Sequence, residues 1–236
     1  MGRGRRGARG APRPGVRDVS RPRSSAAATR AQTRLYADHV ALLVAQLRDE
    51  IGVPAVPTGS AALVVLMGYP GVGKSHCARL LASRLGAAHV ASDQVRSRLF
   101  IAPTYADAEN VTVFKCVDAL VDGLLAEGHR VVVDATNLLA RYRAASVDAA
   151  RRRNAPIVFV RVTADEAAIR GRLAQRRTAR APDDHSDADA QVYERMRDRP
   201  FEPPAGGYLE LVNGPEVEAN VARIAAEVER VCASVT

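Results

Sequence analysis

Apolar residues recur along this chain in two alternating rhythms. Short β-branched runs fall at 61–67 (AALVVLM), 88–92, 130–134 (RVVVD), 157–162 and 208–212. Between them, apolar positions repeat at helical spacing and predict helices over 74–85, 93–99, 109–127, 139–153, 165–178, 187–198 and 215–233. Strands alternating with amphipathic helices imply an α/β fold, a parallel sheet covered by helices on both faces. Ligands of such sheets bind at the carboxyl ends of the strands. Upstream, Leu35, Tyr36, Val40, Leu43, Val44, Leu47 and Ile51 lie on one face of a further predicted helix between Thr33 and Ile51, read as a packing element. The stretch GVPAVPTGS at 52–60 reads as a connector.

Charge refines this layout. The net charge of +8 is uneven: of 34 basic and 26 acidic residues, nine arginines and one acid, Asp18, fall within residues 1–30, which leaves the rest neutral. A segment rich in Arg, Gly, Pro and Ser buries too little apolar surface to fold, so residues 1–32 are expected to be a disordered basic arm. Such an arm suits electrostatic binding of RNA or DNA, a solvated tail, an Arg-rich transit segment or translated sequence upstream of the true start. Residues 33–60 then form the helix and linker, and 61–236 the α/β domain. No apolar run is long enough to cross a bilayer. Cys77, Cys116 and Cys232 lie far apart without metal or disulfide spacing, read as small buried residues in a reduced, cytoplasmic protein.

The candidate chemistry centres on GYPGVGKS, residues 68–75, which fits GxxxxGK[ST] between a predicted strand and a predicted helix. Glycines at 68, 71 and 73 let backbone amides close on phosphates, and the helix start adds partial positive charge. Gly68, Gly71, Val72, Gly73, Lys74, Ser75 and His76 are thus the expected cradle for ATP, with Lys74 reaching the β- and γ-phosphates and Ser75 ligating Mg2+. Only Lys74 and Lys115 are lysines, so this chain uses Arg wherever Arg will serve. A compact ammonium is what the phosphate loop needs. Asp134, at the end of RVVVD, suits a second metal-site ligand. Ala135 follows it where a water-polarising glutamate would favour hydrolysis, and no NKxD guanine-reading sequence occurs.

Asp93 and Arg96 in ASDQVRSRL share a face at the start of a short helix. They suit a base that takes a proton from an acceptor hydroxyl and a cation beside it, or else an ordinary ion pair at a helix start. Arg170, Arg172, Arg176, Arg177 and Arg180 cluster on a helix and its following loop. One or two of them closing over a transferring phosphoryl group would be worth about 10³ to 10⁵ in rate; the rest read as a solvated face. His39, His76, His89, His129 and His185 show no ligand spacing, and Phe100, Tyr105 and Phe114 are read as core rather than stacking platforms.

GYPGVGKS, SDQVR, VVVDATN, the RLAQR segment and SDADAQVYERMRDRPFEPP together resemble the polynucleotide-kinase-like branch of the P-loop kinases, which includes bacterial ATP-binding proteins of AAA-domain type. The likeness spans about residues 61–215. It implies a P-loop NTPase fold, a five-stranded parallel sheet in the order 2-3-1-4-5 with a helical lid. It also implies Asp93 as general base, Arg96 as acceptor holder, Asn137 and Arg143 as substrate contacts, and Arg172 and Arg176 as lid arginines. Catalysis would then rest on Lys74, Asp93, Arg96, Arg172 and Arg176, with Ser75 and Asp134 at the metal. Its members phosphorylate 5′-hydroxyl ends, sugars, antibiotics and nucleotide sugars, so the alcohol acceptor stays open. Two rivals from other classes are a P-loop ATPase switch, opposed by Ala135, and a nucleic-acid-binding protein with a regulatory ATP site, opposed by the neutral domain.

Overall fold

The continuous apolar run of β1 (Ala62–Met67) is buried at every position, as a strand covered on both faces must be. In this computed structural model it forms the centre of a five-stranded parallel sheet in the order β2-β3-β1-β4-β5, the others being β2 (Ala88–Ala91), β3 (Arg130–Asp134), β4 (Ile157–Thr163) and β5 (Leu209–Val212). The structure describes residues 39–101, 103–178 and 190–234, without the side chains of 176–178, 190 and 191. The basic arm, the first part of the 33–51 helix, Arg180, His185 and the side chain of Arg177 therefore lie outside what is described. Residues from His39 onward form one compact unit.

The period of two along β1 divides the core. Val64 and Leu66 join the cluster built with α2 (Lys74–Leu85), α6 (Glu166–Thr178) and α8 (Val217–Ala233). Leu63, Val65 and Met67 join the opposite cluster with α4 (Asp107–Ala126) and α5 (Ala140–Arg152). Residues 39–50 form a helix, α1, whose Leu47 is buried in that second cluster, with Val40 and Val44 packed against it. The remaining helices are α3 (Ser92–Leu99) and α7 (Ala190–Arg197). Parallel register brings the ends of β1, β2 and β3 level, Leu66 with Asp134 and Ala91 with Asp134. The sheet order implied by the resemblance and the helical cover expected from the hydrophobic pattern are both present. No helix among the described residues is long and apolar enough to cross a membrane.

Candidate functional site

The loop from β1 into α2 is shaped by what its glycines allow. Gly73 caps α2 at φ 87° and ψ 32°, a left-handed conformation that costs other residues about 1–2 kcal/mol. A Cβ there would strike the Asn213 amide, and one on Gly68 would lie 2.7 Å from the Val162 carbonyl oxygen. The Val72 carbonyl accepts from Asn213 Nδ2 at 2.8 Å and Arg172 Nη1 at 3.2 Å, so β5's exit and α6 both grip the loop. The start of α2 has no side-chain cap and no acid in its first turn, which leaves its amides and partial positive charge for an anion. Lys74 Nζ donates to the Tyr69 carbonyl at 3.0 Å and so lies over its own loop. The Tyr69 hydroxyl in turn donates to the Arg199 carbonyl at 2.9 Å, beyond the end of α7.

Asp134 stands at the carboxyl end of β3, 5% exposed. Burial pushes its carboxyl up. His89 with its ring 3.4 Å away, the Lys74 ammonium and the Ser75 hydroxyl more than offset that, so the group sits below the ordinary carboxylate range and is ionised. Ala135 beside it is buried. Behind the loop, burial pushes the Cys77 thiol up to about 12, which makes it an inert packing residue, and all three cysteines are buried.

Across the cleft, Asp93 lies in the first turn of α3 and is half-buried. Arg96, one turn on, is 4% exposed. Its Nη2 donates to Asn110 Oδ1 at 2.7 Å, Glu109 lies 3.7 Å from Nη1, and the Tyr105 ring covers the guanidinium at 4.4 Å. Arg96 Nε and Nη1 have no hydrogen-bond partner. The Glu109 carboxylate also accepts from the Thr104 hydroxyl and from the Thr104 and Tyr105 amides, and these bonds, the Thr104 hydroxyl's first, hold it below its ordinary range.

One cavity of about 1060 Å³ takes in Lys74, Ser75, Asp93, Arg96, Asp134 and Arg172. That lies at the upper end of the roughly 300–1,000 Å³ of ordinary ligand pockets. Among the described residues that line it, Asp93 and Asp134 are the only acids. His76, also expected at the phosphate cradle, is exposed on its rim.

Several sequence expectations need correction or completion. Asn137 and Arg143, expected to touch substrate, do not line the cleft. Asn137, 2% exposed at φ 47°, donates to the Leu66 carbonyl at 2.9 Å. Arg143, 4% exposed, donates to the carbonyls of Asn137 at 2.5 Å and Glu202 at 2.7 Å. Buried and committed to backbone, the pair bolts the loop after β3 to the end of β1. Tyr105 and Phe114, expected in the core, line the cleft instead; Phe100 does pack against the α4 side of the core. Arg172 is held at the phosphate loop, whereas the Arg176 side chain lies outside the described residues. Sequence reading missed His89 and Asn213, single polar residues whose positions depend on strand pairing and on β5's exit.

The sequence profile of an AAA domain family (AAA_33) matches residues 63–204. Among curated proteins none matches the chain. Among solved structures, Chaetomium thermophilum Kti12 in complex with ADP-AlF3 is similar at a TM-score of 0.59 and 19% identity, over 72% of this chain and 98% of that one. The Mycobacterium tuberculosis APS kinase CysC in complex with AMPPNP and APS is similar at a TM-score of 0.53 and 20% identity, over 74% and 99%. These likenesses establish a P-loop kinase-like fold.

Proposed function

Since the chain belongs to the AAA domain family whose profile spans residues 63–204, we propose that it is an ATP- and Mg2+-dependent kinase of the polynucleotide-kinase-like kind, moving the γ-phosphoryl group of ATP to an alcohol. The observation that carries this reading is the shared cavity. Asp93 faces the same space as Lys74 and Asp134, and the residue after Asp134 is a buried alanine. A base is thus available for a held hydroxyl, and at Ala135 there is no carboxylate to orient water.

The residues fit the expected ligands. At Gly68 and Gly73 a Cβ would collide with the Val162 carbonyl and the Asn213 amide, so only glycine lets the loop take this shape, and the uncapped start of α2 supplies amides. Ser75 and the ionised Asp134 offer hard oxygens for Mg2+. No group of three or more His, Cys, Asp or Glu residues able to hold a metal occurs among the described residues, which suits an ion that keeps phosphate and water ligands. When bound, Mg2+ neutralises charge on the β- and γ-oxygens.

The chain's own residues then divide the work. Lys74 leaves the Tyr69 carbonyl to meet the β- and γ-oxygens. Arg172, already at the loop, adds positive charge as the phosphoryl group moves. Asp93 accepts the acceptor's proton as its oxygen bonds to the γ-phosphorus, the bond from that phosphorus to the bridging oxygen breaks, and ADP departs with the electron pair. Arg96 holds the acceptor beside Asp93. Positioning and charge are most of what phosphoryl transfer asks of a protein.

Asp93→Asn tests the assignment. Single-turnover transfer should fall by about 10²- to 10⁴-fold, the usual worth of a general base, while affinity for ATP is retained. Normal transfer with weakened ATP binding would make Asp93 a structural or metal-site residue.

A further inference from the structure

The chemistry described above leaves one polar residue of the phosphate site without a part. β2 reads AHVA, and His89 is its polar position, among Ala88, Val90 and Ala91, which are buried. Parallel register pairs His89 with Val132, so His89 and Asp134, two residues beyond Val132, lie on the same face of the sheet. That is the face of α2, because Val132 belongs to the cluster built with that helix, and α2 opens with Lys74 and Ser75. His89 Nε2 lies 3.4 Å from Asp134 Oδ2. The ionised carboxylate can only accept, so Nε2 carries the proton of this contact whatever charge the ring bears. The Ser75 hydroxyl reaches the same carboxylate.

Packing does not account for a histidine here. It lines the cleft, and it also lines a second, shallower cavity of about 470 Å³ between α2 and the chain at Ile51, Gly52 and Pro54. A side chain that borders two open spaces is not held as close-packed core residues are. Asp134, by contrast, is 5% exposed at the end of its strand, so the direction of its carboxylate depends on what bonds it. Mg2+ asks for near-ideal octahedral geometry from its oxygen ligands, and a carboxylate free to rotate meets that demand poorly. The same preference for oxygen means that the imidazole acts through Asp134 and not on the ion.

We propose that His89 is a positioning residue for Mg2+: its Nε2–H fixes the Asp134 carboxylate in the orientation that, together with the Ser75 hydroxyl, holds the ion at the phosphates. The inference rests on the Mg2+ site of the kinase reading and adds a residue to it. It does not depend on the acceptor, and holds equally for transfer to an alcohol or to water. Removing a hydrogen-bond partner of a metal-ligating group costs about 10- to 100-fold in metal affinity. A contact of 3.4 Å belongs at the lower end of that range.

Calorimetry on the full chain tests this with a nonhydrolysable ATP analogue, titrated with and without Mg2+. The quantity read is the ratio of the two Kd values, the gain in affinity that Mg2+ brings. His89→Leu keeps bulk without a donor, His89→Gln keeps an N–H at about the reach of Nε2, and His89→Asn carries the same amide on a stem one methylene shorter. The Leu and Asn substitutions should each lower the ratio about tenfold while the Mg2+-free Kd moves less than about twofold. Gln should keep the ratio within about threefold of the parent's. Electron paramagnetic resonance of Mn2+ in place of Mg2+, which reads the free ion directly, should rank the four proteins in the same order. If the leucine variant does not fold, the Asn and Gln variants, alike in polarity, carry the comparison. Leu or Asn variants with the parent's ratio overturn the inference and leave the kinase reading standing. So does a fall in affinity that is equal with and without Mg2+, the mark of a merely structural role, or a Gln variant as impaired as the Asn one. A parent whose Kd is the same with and without Mg2+ overturns the metal site itself, and this inference with it.

Discussion

Replacing Gly73 with alanine separates two demands that the phosphate loop makes at one position. The first is conformational: φ is 87°, which costs a non-glycine residue about 1–2 kcal/mol. The second is steric, because the new methyl would occupy the place of the Asn213 amide. Asn213 is 5% exposed, and swinging it aside breaks its 2.8 Å bond to the Val72 carbonyl, worth about 1–3 kcal/mol when a buried group is left unsatisfied. Gly73→Ala should therefore cost about 2–5 kcal/mol in all. Asn213→Ala loses the same bond but opens the space, and Arg172 still donates to Val72, so about 1–2 kcal/mol is expected. In the double variant the steric part disappears. Its loss should fall short of the sum by about 1–3 kcal/mol. Urea denaturation of the four proteins, compared at a common slope, measures the cycle, and calorimetry with a nonhydrolysable ATP analogue follows the cradle itself. Additivity within about 0.5 kcal/mol would refute the argument that Asn213 sets the space around Gly73.

Lys74→Ala should lower single-turnover phosphoryl transfer by about 10²- to 10³-fold, the usual effect of removing one donor to developing charge, while equilibrium binding of ATP survives; rapid quench and calorimetry separate the two. Arg143→Ala should reduce unfolding stability by about 2–4 kcal/mol, since its charged bonds reach two buried-loop carbonyls; an acceptor KM raised at unchanged stability would restore the substrate role. Burial pushes the Asp118 carboxyl up despite the Ser146 hydroxyl bond, so the folded state favours the proton and this group's contribution falls as pH rises through and above the ordinary carboxylate range. Asp118→Asn should accordingly raise the thermal midpoint at pH 7, and its advantage should vanish in acid; an equal midpoint difference at every pH would contradict the burial argument.

How much the sequence discloses depends on the range of the signal. GYPGVGKS, the acid ending RVVVD and the DxxR helix start are local patterns, and the fold brings all three to one cleft because strand ends in a parallel sheet lie level. The sheet's alternating faces are equally local, readable as a period of two in ALVVLM. Asn137 and Arg143 could not be read this way: a buried arginine bonded to carbonyls has the same sequence appearance as one that reaches a substrate. Phe114 lies one residue past buried Val113 on α4, so helical period alone does not decide between core and cleft. His89 meets Asp134 only because β2 pairs with β3, a neighbour relation that no spacing within β2 encodes. Asn213 grips Val72 from 141 positions away.

The central claim concerns where the phosphoryl group goes, and one turnover decides it. Protein in excess over γ-labelled ATP, with Mg2+ and a panel of 5′-hydroxyl oligonucleotides, nucleosides, sugars and aminoglycosides, is quenched over time, and labelled alcohol is separated from free phosphate. The account predicts that, with a suitable acceptor, label reaches the alcohol faster than phosphate is released, because Asp93 serves a held hydroxyl and Ala135 provides nothing to hold water. Free phosphate as the dominant product with every acceptor, released faster when a protein or nucleic-acid partner is added, would contradict it and make the protein an ATPase switch.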